Sequence, residues 1–251
     1  MMDPFIREVL FDWSQVSQES YLWGIPALRN LERLPLSDKV TFLVGENGTG
    51  KSTLIEAIAV ACGFPAEGGT LNYHFSTYDS HSRLHEAVTT IRGRRRQKWG
   101  YFLRAESFYN VATQAEEYRG GEDPNKYYRR YGGKSLHEQS HGESFLALVQ
   151  GDFKADGLYI LDEPEAALSP QRQLTLLLEM ERLSKLGAQF IVATHSPILL
   201  GLPGAMIWSL DGGKIHRCEY TETESYRVTE MFINNREYLL RHLLAEDESN
   251  E

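Results

Sequence analysis

Cysteine is scarce in this chain: two residues, Cys62 and Cys218, among 251. They stand far apart with no ligand partner at metal-site spacing, which excludes a disulfide framework and a cysteine–zinc site and leaves buried or idle thiols. Long apolar runs are missing too. No stretch approaches the roughly 18 apolar residues that a bilayer crossing needs, so no membrane insertion is expected. The first twenty residues, MMDPFIREVLFDWSQVSQES, lack both an apolar core and a small-residue cleavage site, and a cytoplasmic location is the expectation. Positive charge is in deficit, the net charge being −9, which excludes a surface given over to nucleic acid while leaving room for a local basic patch. Internal repeats, heptads and low-complexity linkers are also wanting.

What is there is enough apolar material, 41% of the residues, to bury a substantial core, and residues 1–251 read as a single domain. Three short runs are apolar almost throughout: Val40 to Val44, Leu158 to Leu161 and Phe190 to Ala193, each ending in a polar motif. Strands covered on both faces look like this, and such strands belong to parallel α/β sheets. Between the second and third lies a predicted helix, capped by Ser169, with Pro170 at its first position, Leu174, Leu177, Leu178 and Leu183 on one face, and Gly187 at its end. Strand, helix, strand is the βαβ unit.

Phe5 to Leu31 mixes aromatic and polar residues at short range, and antiparallel strands flanking the main sheet are expected there. Residues 63–139 are rich in Tyr, Arg and Gly and read as an insertion decorating the core. IWSL, DGGK and IHRCEY near the C-terminus read as strand, turn and strand. An amphipathic helix is predicted over Val228 to Leu244, followed by an acidic tail.

The chemistry concentrates in Gly45, Glu46, Asn47, Gly48, Thr49, Gly50, Lys51 and Ser52, which match G-x-x-x-x-G-K-[ST] between a strand and a helix bearing Leu54, Ile55 and Ile58. Glycines let backbone N–H groups turn inward around a β-phosphate. The helix N-terminus adds positive potential, Lys51 neutralises β and γ oxygens, and Ser52, with Thr53 after it, suits magnesium. ATP and Mg2+ are the expected ligands. After the second strand come Asp162 and Glu163, one carboxylate to hold the metal and the next to deprotonate an attacking water. Thr194, His195 and Ser196 end the third strand, placing an imidazole at the carboxyl edge of the sheet, where α/β proteins bind ligands.

GENGTGKS, SHGES, LYILDEP, EAALSP and IVATHS, in that order, resemble the ABC-type ATPase superfamily, and within it soluble, stand-alone ATPases of the SMC and RecF group. The resemblance implies a P-loop fold with a mainly parallel central sheet, flanking helices and an antiparallel β subdomain, hydrolysing ATP in a head-to-tail homodimer. Carried over by position, Ser140 and Gly142 occupy the signature motif, Asp162 holds magnesium, Glu163 is the base and His195 the switch histidine; Ala166 to Ser169 form the loop between subunits. Departures are His141 and Glu143, where the common pattern has glycine and glutamine, and Ser169 in place of an aspartate. Glu106, following YFLRA, stands where glutamine is usual and could meet magnesium through water.

Phe11, Trp13, Tyr21 and Trp23 are candidates to stack on adenine, though core packing accounts for each equally well. Arginines and aromatics recur over 92–134, in GRRRQK and KYYRRYGGK. This mixture suits a nucleic-acid or protein partner, while a solvated strand edge protected by charge is the plainer reading and the favoured one. A repair or defence ATPase and the energising subunit of a transport complex are the two functional expectations, the altered signature favouring the first.

Overall fold

Strands that are apolar along their whole length must sit inside a sheet covered on both faces, and the computed structural model, which describes residues 3–71, 82–117 and 123–247, puts them there. β3 (Val40–Val44), β7 (Gly157–Asp162) and β8 (Gln189–Ala193) are buried at every position. They form the middle of a seven-stranded sheet with β4 (Gly69–Thr70), β6 (Trp99–Arg104), β9 (Met206–Ser209) and β10 (His216–Arg217), in the order β10-β9-β3-β8-β7-β6-β4. The five inner strands run parallel, and the two short edge strands are antiparallel to their neighbours.

One face of the sheet, presenting Leu43, Phe102, Ile160 and Ile191, is covered by α1 (Lys51–Ala61) through Leu54, Ile55 and Ile58. The other face presents Phe42, Leu103, Tyr159 and Phe190 to α4 (His141–Asp152) and α5 (Pro170–Lys185). A second sheet of three antiparallel strands, β1 (Ile6–Phe11), β2 (Arg33–Pro35) and β5 (Val88–Arg92), lies on the α1 side in the order β2-β1-β5. The buried Gln189 amide fastens it to the main sheet, accepting from the Phe5 and Ile6 N–H groups and donating to the Ile6 and Ser37 carbonyls.

Three expectations need correction. The 5–31 segment supplies one strand, β1; the rest is irregular, with 3-10 turns at Trp13–Gln15 and Tyr21–Gly24. α5 has the predicted ends, with Ser169 as cap and Gly187 at φ +108°, yet it buries Leu176, Met180 and Leu183, while Leu174 and Leu178 face solvent. Leucine also at 174, 177 and 178 blurs the apolar stripe, and the three-dimensional neighbours decide which side is covered. The C-terminal helix, α7 (Glu224–Asp247), is longer than predicted, breaks its helical geometry at Asn235, and has no buried side chain among its described residues.

The stretch 63–139 does more than decorate: it provides β5 to the small sheet, β6 to the interior of the large one, and α2 (Phe108–Glu117) and α3 (Pro124–Tyr128). Parts of that stretch, 72–81 and 118–122, and the acidic tail after 247 lie outside the described residues.

Candidate functional site

β3 delivers the chain into Gly45–Gly50, and α1 begins at Lys51. Gly45, Gly48 and Gly50 all have positive φ, and the close approaches explain two of them. A Cβ on Gly45 would lie 2.9 Å from the Thr49 hydroxyl and 3.1 Å from an Asp211 carboxylate oxygen, and one on Gly50 2.8 Å from Ile25. Glu46, Asn47 and Gly48 are exposed at the tip of the loop, and Thr53 is half-buried on the first turn of α1.

The Lys51 side chain is buried and curls under the loop, donating to the Gly45 and Glu46 carbonyls at 2.7 and 2.9 Å. Burial pulls its pKa below the ordinary lysine value, against the opposing fields of Glu163, Asp211, Asp162 and Glu165.

The sheet register brings the acids to this loop. Asp162 ends β7 with its carboxylate 3.3 Å from the Ser52 hydroxyl, which donates to it. Burial pushes the Asp162 pKa up to about 6; the nearby Arg104 guanidinium opposes this, and the charges of Glu163 and Glu106 add to it. Arg104 is paired with Asp162 in register on β6 and bridges it, at 3.5 Å, to the buried Glu56 at 2.7 Å.

Glu163 is the only non-glycine at positive φ among the described residues, at φ 49°, ψ 51°. Holding an L-residue before proline in that conformation costs on the order of 1–3 kcal/mol, and such strain gathers at functional positions. It turns the carboxylate toward His195, whose Nε2 lies 3.5 Å from Glu163 Oε1, too far for a good hydrogen bond. The His195 backbone N–H donates to Glu165 Oε1 at 2.5 Å, while Glu165 Oε2 and His195 Nε2 are buried without a hydrogen-bond partner among the described residues. A cavity of about 490 Å³ opens beside this group, lined by Glu46, Asn47, His195, Asp211, Thr223 and, on the first turns of α7, Glu224 and Val228.

Thus Gly45–Ser52, Asp162, Glu163 and His195 converge. Glu106, exposed in the turn after β6, lies near enough for its charge to act on Asp162. Ser140, Gly142 and Glu143 make their described contacts elsewhere, at the start of α4. Glu143 caps that helix by accepting from the Ser140 N–H at 3.0 Å and hydroxyl at 2.7 Å, and Arg172 on α5 holds its other oxygen at 2.9 Å. A Cβ on Gly142 would stand 2.7 Å from the Ala167 carbonyl, so glycine is needed there for packing against the 164–167 turn.

The aromatic candidates flank the loop on the Ile25 side. Trp13 and Trp23 sit with ring centres 5.0 Å apart, their N–H groups donating to the Leu31 and Ser17 carbonyls; Phe11 is buried and Tyr21 exposed. Much of the basic and aromatic stretch is internal structure. Tyr127 and Tyr131 are buried, Arg130 stacks on Tyr127, and Arg95 and Lys98 pair with Asp156. Arg92, Arg94 and Arg96 are exposed.

Three residues with evident parts in this geometry carried no functional signal in the sequence: Arg104, Glu165 and Asp211, the last of which reads there only as a turn former. Each acts through a partner distant along the chain.

The donors around Ser52 suit a hard dication. They are oxygens only, a hydroxyl and a carboxylate, with acids in excess. Magnesium commonly takes one or two protein oxygens together with phosphate, and Ser52 and Asp162 supply such a pair.

Residues 21–137 match a family model described as "AAA domain", and residues 135–201 one described as "AAA domain, putative AbiEii toxin, Type IV TA system". The first stretch contains the 45–52 loop and Glu106, the second contains Ser140, Asp162, Glu163 and His195, and Phe11, Trp13 and Asp211 lie outside both. No curated protein matches the chain. Solved structures similar to it include the SMC head domain from Thermotoga maritima, 16% identical, TM-score 0.45, covering 86% of this chain and 98% of that one. The SMC head bound to the C-winged helix domain of ScpA is 15% identical, TM-score 0.47, with the same coverages of 86% and 98%. A transporter assigned to the metal-chelate ABC type, in an inward-facing conformation, is 16% identical, TM-score 0.44, covering 76% of this chain and 75% of that one.

Proposed function

We propose that the chain is a P-loop ATPase of the ABC and SMC type that hydrolyses MgATP to ADP and phosphate at the 45–52 loop within a head-to-tail homodimer; the matches to AAA-domain models support this reading. The observation that carries this is the meeting of Asp162, Glu163 and His195 at one loop end, with Ser52 3.3 Å from Asp162 and His195 3.5 Å from Glu163. Loop N–H groups and Lys51 bind the β and γ phosphates, and phosphate oxygens compensate the ammonium for the desolvation that depresses its pKa. Ser52 and Asp162 would hold magnesium, with the Glu106 carboxylate nearby, and the ion would supply positive charge to offset that of the triphosphate. Glu163 accepts the proton of a water directed at the γ-phosphorus, and His195 Nε2, buried without a described partner, hydrogen-bonds a γ-oxygen.

Ser140, Gly142 and Glu143 are left for the second subunit. With α4 capped and Glu143 clamped by Arg172, the Ser140 end of the helix is a rigid anion-binding terminus that one protomer presents to the other's γ-phosphate. Dimer closure then acts on a nucleic-acid or protein partner of repair or defence type, and the exposed Arg92, Arg94 and Arg96 are where such a partner docks.

Glu163→Gln tests the reaction. It is expected to keep MgATP affinity, slow turnover about a hundredfold or more, and trap a dimer visible by light scattering; unchanged turnover refutes the role of Glu163. Lys51→Ala is expected to lose nucleotide binding, and undiminished MgATP affinity by calorimetry refutes the site.

A further inference from the structure

The geometry points to Asp211 as the residue that sets the shape of the phosphate-binding loop, a positioning residue outside the 45–52 motif. β9 runs parallel to β3 with Val44 opposite Ser209, and the ladder's last backbone bond runs from the Leu210 N–H to the Val44 carbonyl at 2.8 Å. One step further on, β3 has become the loop. There the Glu46 N–H donates to Asp211 Oδ1 at 2.8 Å, a carboxylate standing where a strand carbonyl would otherwise continue the ladder.

Asp211 is itself fixed. Its Oδ2 accepts from the Ser209 hydroxyl at 3.0 Å, and its own N–H donates to that hydroxyl oxygen at 3.1 Å. The Glu46 carbonyl is held as firmly, accepting from Lys51 Nζ at 2.9 Å and from the Thr49 hydroxyl at 2.8 Å. Both backbone polar groups of Glu46 are therefore occupied by the protein. Glu46 fixes where the loop leaves the sheet, and glycine suits position 45 because φ is +148° and a Cβ there would stand 2.9 Å from the Thr49 hydroxyl and 3.1 Å from Asp211 Oδ1. The charge has a second effect: Asp211 is among the acids that keep Lys51 protonated against burial. Placing an acid beside a site for a polyanion costs electrostatic energy, and a carboxylate accepting a backbone N–H in a fixed geometry is what offsets it.

This inference rests on the reading of the 45–52 loop as the ATP site, and two readouts keep them apart. Asp211→Ala and Asp211→Asn are compared with the parent chain for hydrogen exchange of the 45–50 segment without nucleotide, and for KM and kcat with MgATP. Asparagine retains an acceptor for the Glu46 N–H; alanine does not. Asp211→Ala is expected to speed exchange at Glu46 at least tenfold and raise the KM for ATP at least tenfold, with kcat within threefold of the parent. Asp211→Asn is expected to restore both exchange and KM to within threefold. Parental exchange and KM in Asp211→Ala overturn the assignment, as does an asparagine variant no better than alanine. If the parent binds no ATP, the nucleotide reading fails while the exchange difference still decides the role of Asp211.

Discussion

At the scale of the residue, Asp162 carries the largest built-in conflict. Its carboxyl has a pKa of about 6 in the fold because it is buried, against the ordinary 3.8. A pKa raised on folding means the native state holds the proton longer, so stability is lost as pH rises from about 4 through about 6 and stays lost above that. The loss is on the order of 2–3 kcal/mol at neutral pH. Asp162→Asn removes it, while Arg104 keeps its partner Glu56. In chelator, thermal melts should therefore show the variant about 5 °C or more above the parent at pH 7.5 and level with it at pH 4; no gain at pH 7.5 would refute the account. The same substitution removes a proposed magnesium ligand, so stability and activity should move in opposite directions.

Residue-level legibility divides along sequence distance. Lys51, Ser52, Asp162, Glu163 and His195 were readable because each sits in a contiguous motif at a strand end, where neighbours in sequence report the backbone environment. Asp211 was readable only as a turn former beside two glycines. Its contact with Glu46 spans 165 positions and depends on β9 lying against β3, a pairing that no local pattern contains. Arg104 was hidden for the same reason, since its partners come from α1 and β7.

At the scale of the element, the packing of α4 on the 164–167 turn depends on having nothing at the Gly142 side-chain position. The atom a Cβ would meet, 2.7 Å away, is the Ala167 backbone carbonyl, which cannot rotate aside. Gly142→Ala should destabilise the fold by about 1–3 kcal/mol, as overpacking does, which urea denaturation would register; an unchanged midpoint would show that the turn yields. In the proposed dimer this same turn lies next to the Ser140 end of α4, so the substitution should weaken association of Glu163→Gln as well.

The inner strands β3, β7 and β8 could be read from the sequence because complete burial on both faces writes itself as an unbroken apolar run. α5 could be delimited but not oriented, because leucines at 174, 176, 177, 178 and 183 satisfy more than one helical face and only Leu176 and Leu183 of these are fully covered. β6 was obscured by its arginine-rich approach and by the polar ends of the strand, although Tyr101, Phe102 and Leu103 are buried. Cys62 and Cys218 fit the expectation of idle thiols: burial pushes their pKa values up to about 12 and about 11.

At the scale of the whole molecule, the 45–52 loop, Asp162, Glu163 and His195 lie along the carboxyl edge of the parallel strands, whose two faces are covered by helices and the small sheet. α7 stands apart from this plan. Its first turns border the cavity beside the loop at Glu224 and Val228, and Tyr226 and Ile233 line an apolar groove of about 530 Å³ with Leu174, Leu177 and Ile198. Beyond the break at Asn235, Tyr238, Leu243 and Leu244 are exposed.

A helix this thinly attached has little but its own hydrogen bonds to keep it wound, and isolated helices of about this length are marginal in water. Arg236 and Arg241 lie on that outer half, both exposed. Dilute trypsin should cut after them while the sheet-bearing body stays intact, giving a nicked protein that still binds MgATP. Resistance of both bonds over the time that the body survives would mean that something holds the outer half of α7 in solution. As drawn by its contacts, the outer half of α7 is a segment whose removal should leave the sheet-bearing body intact.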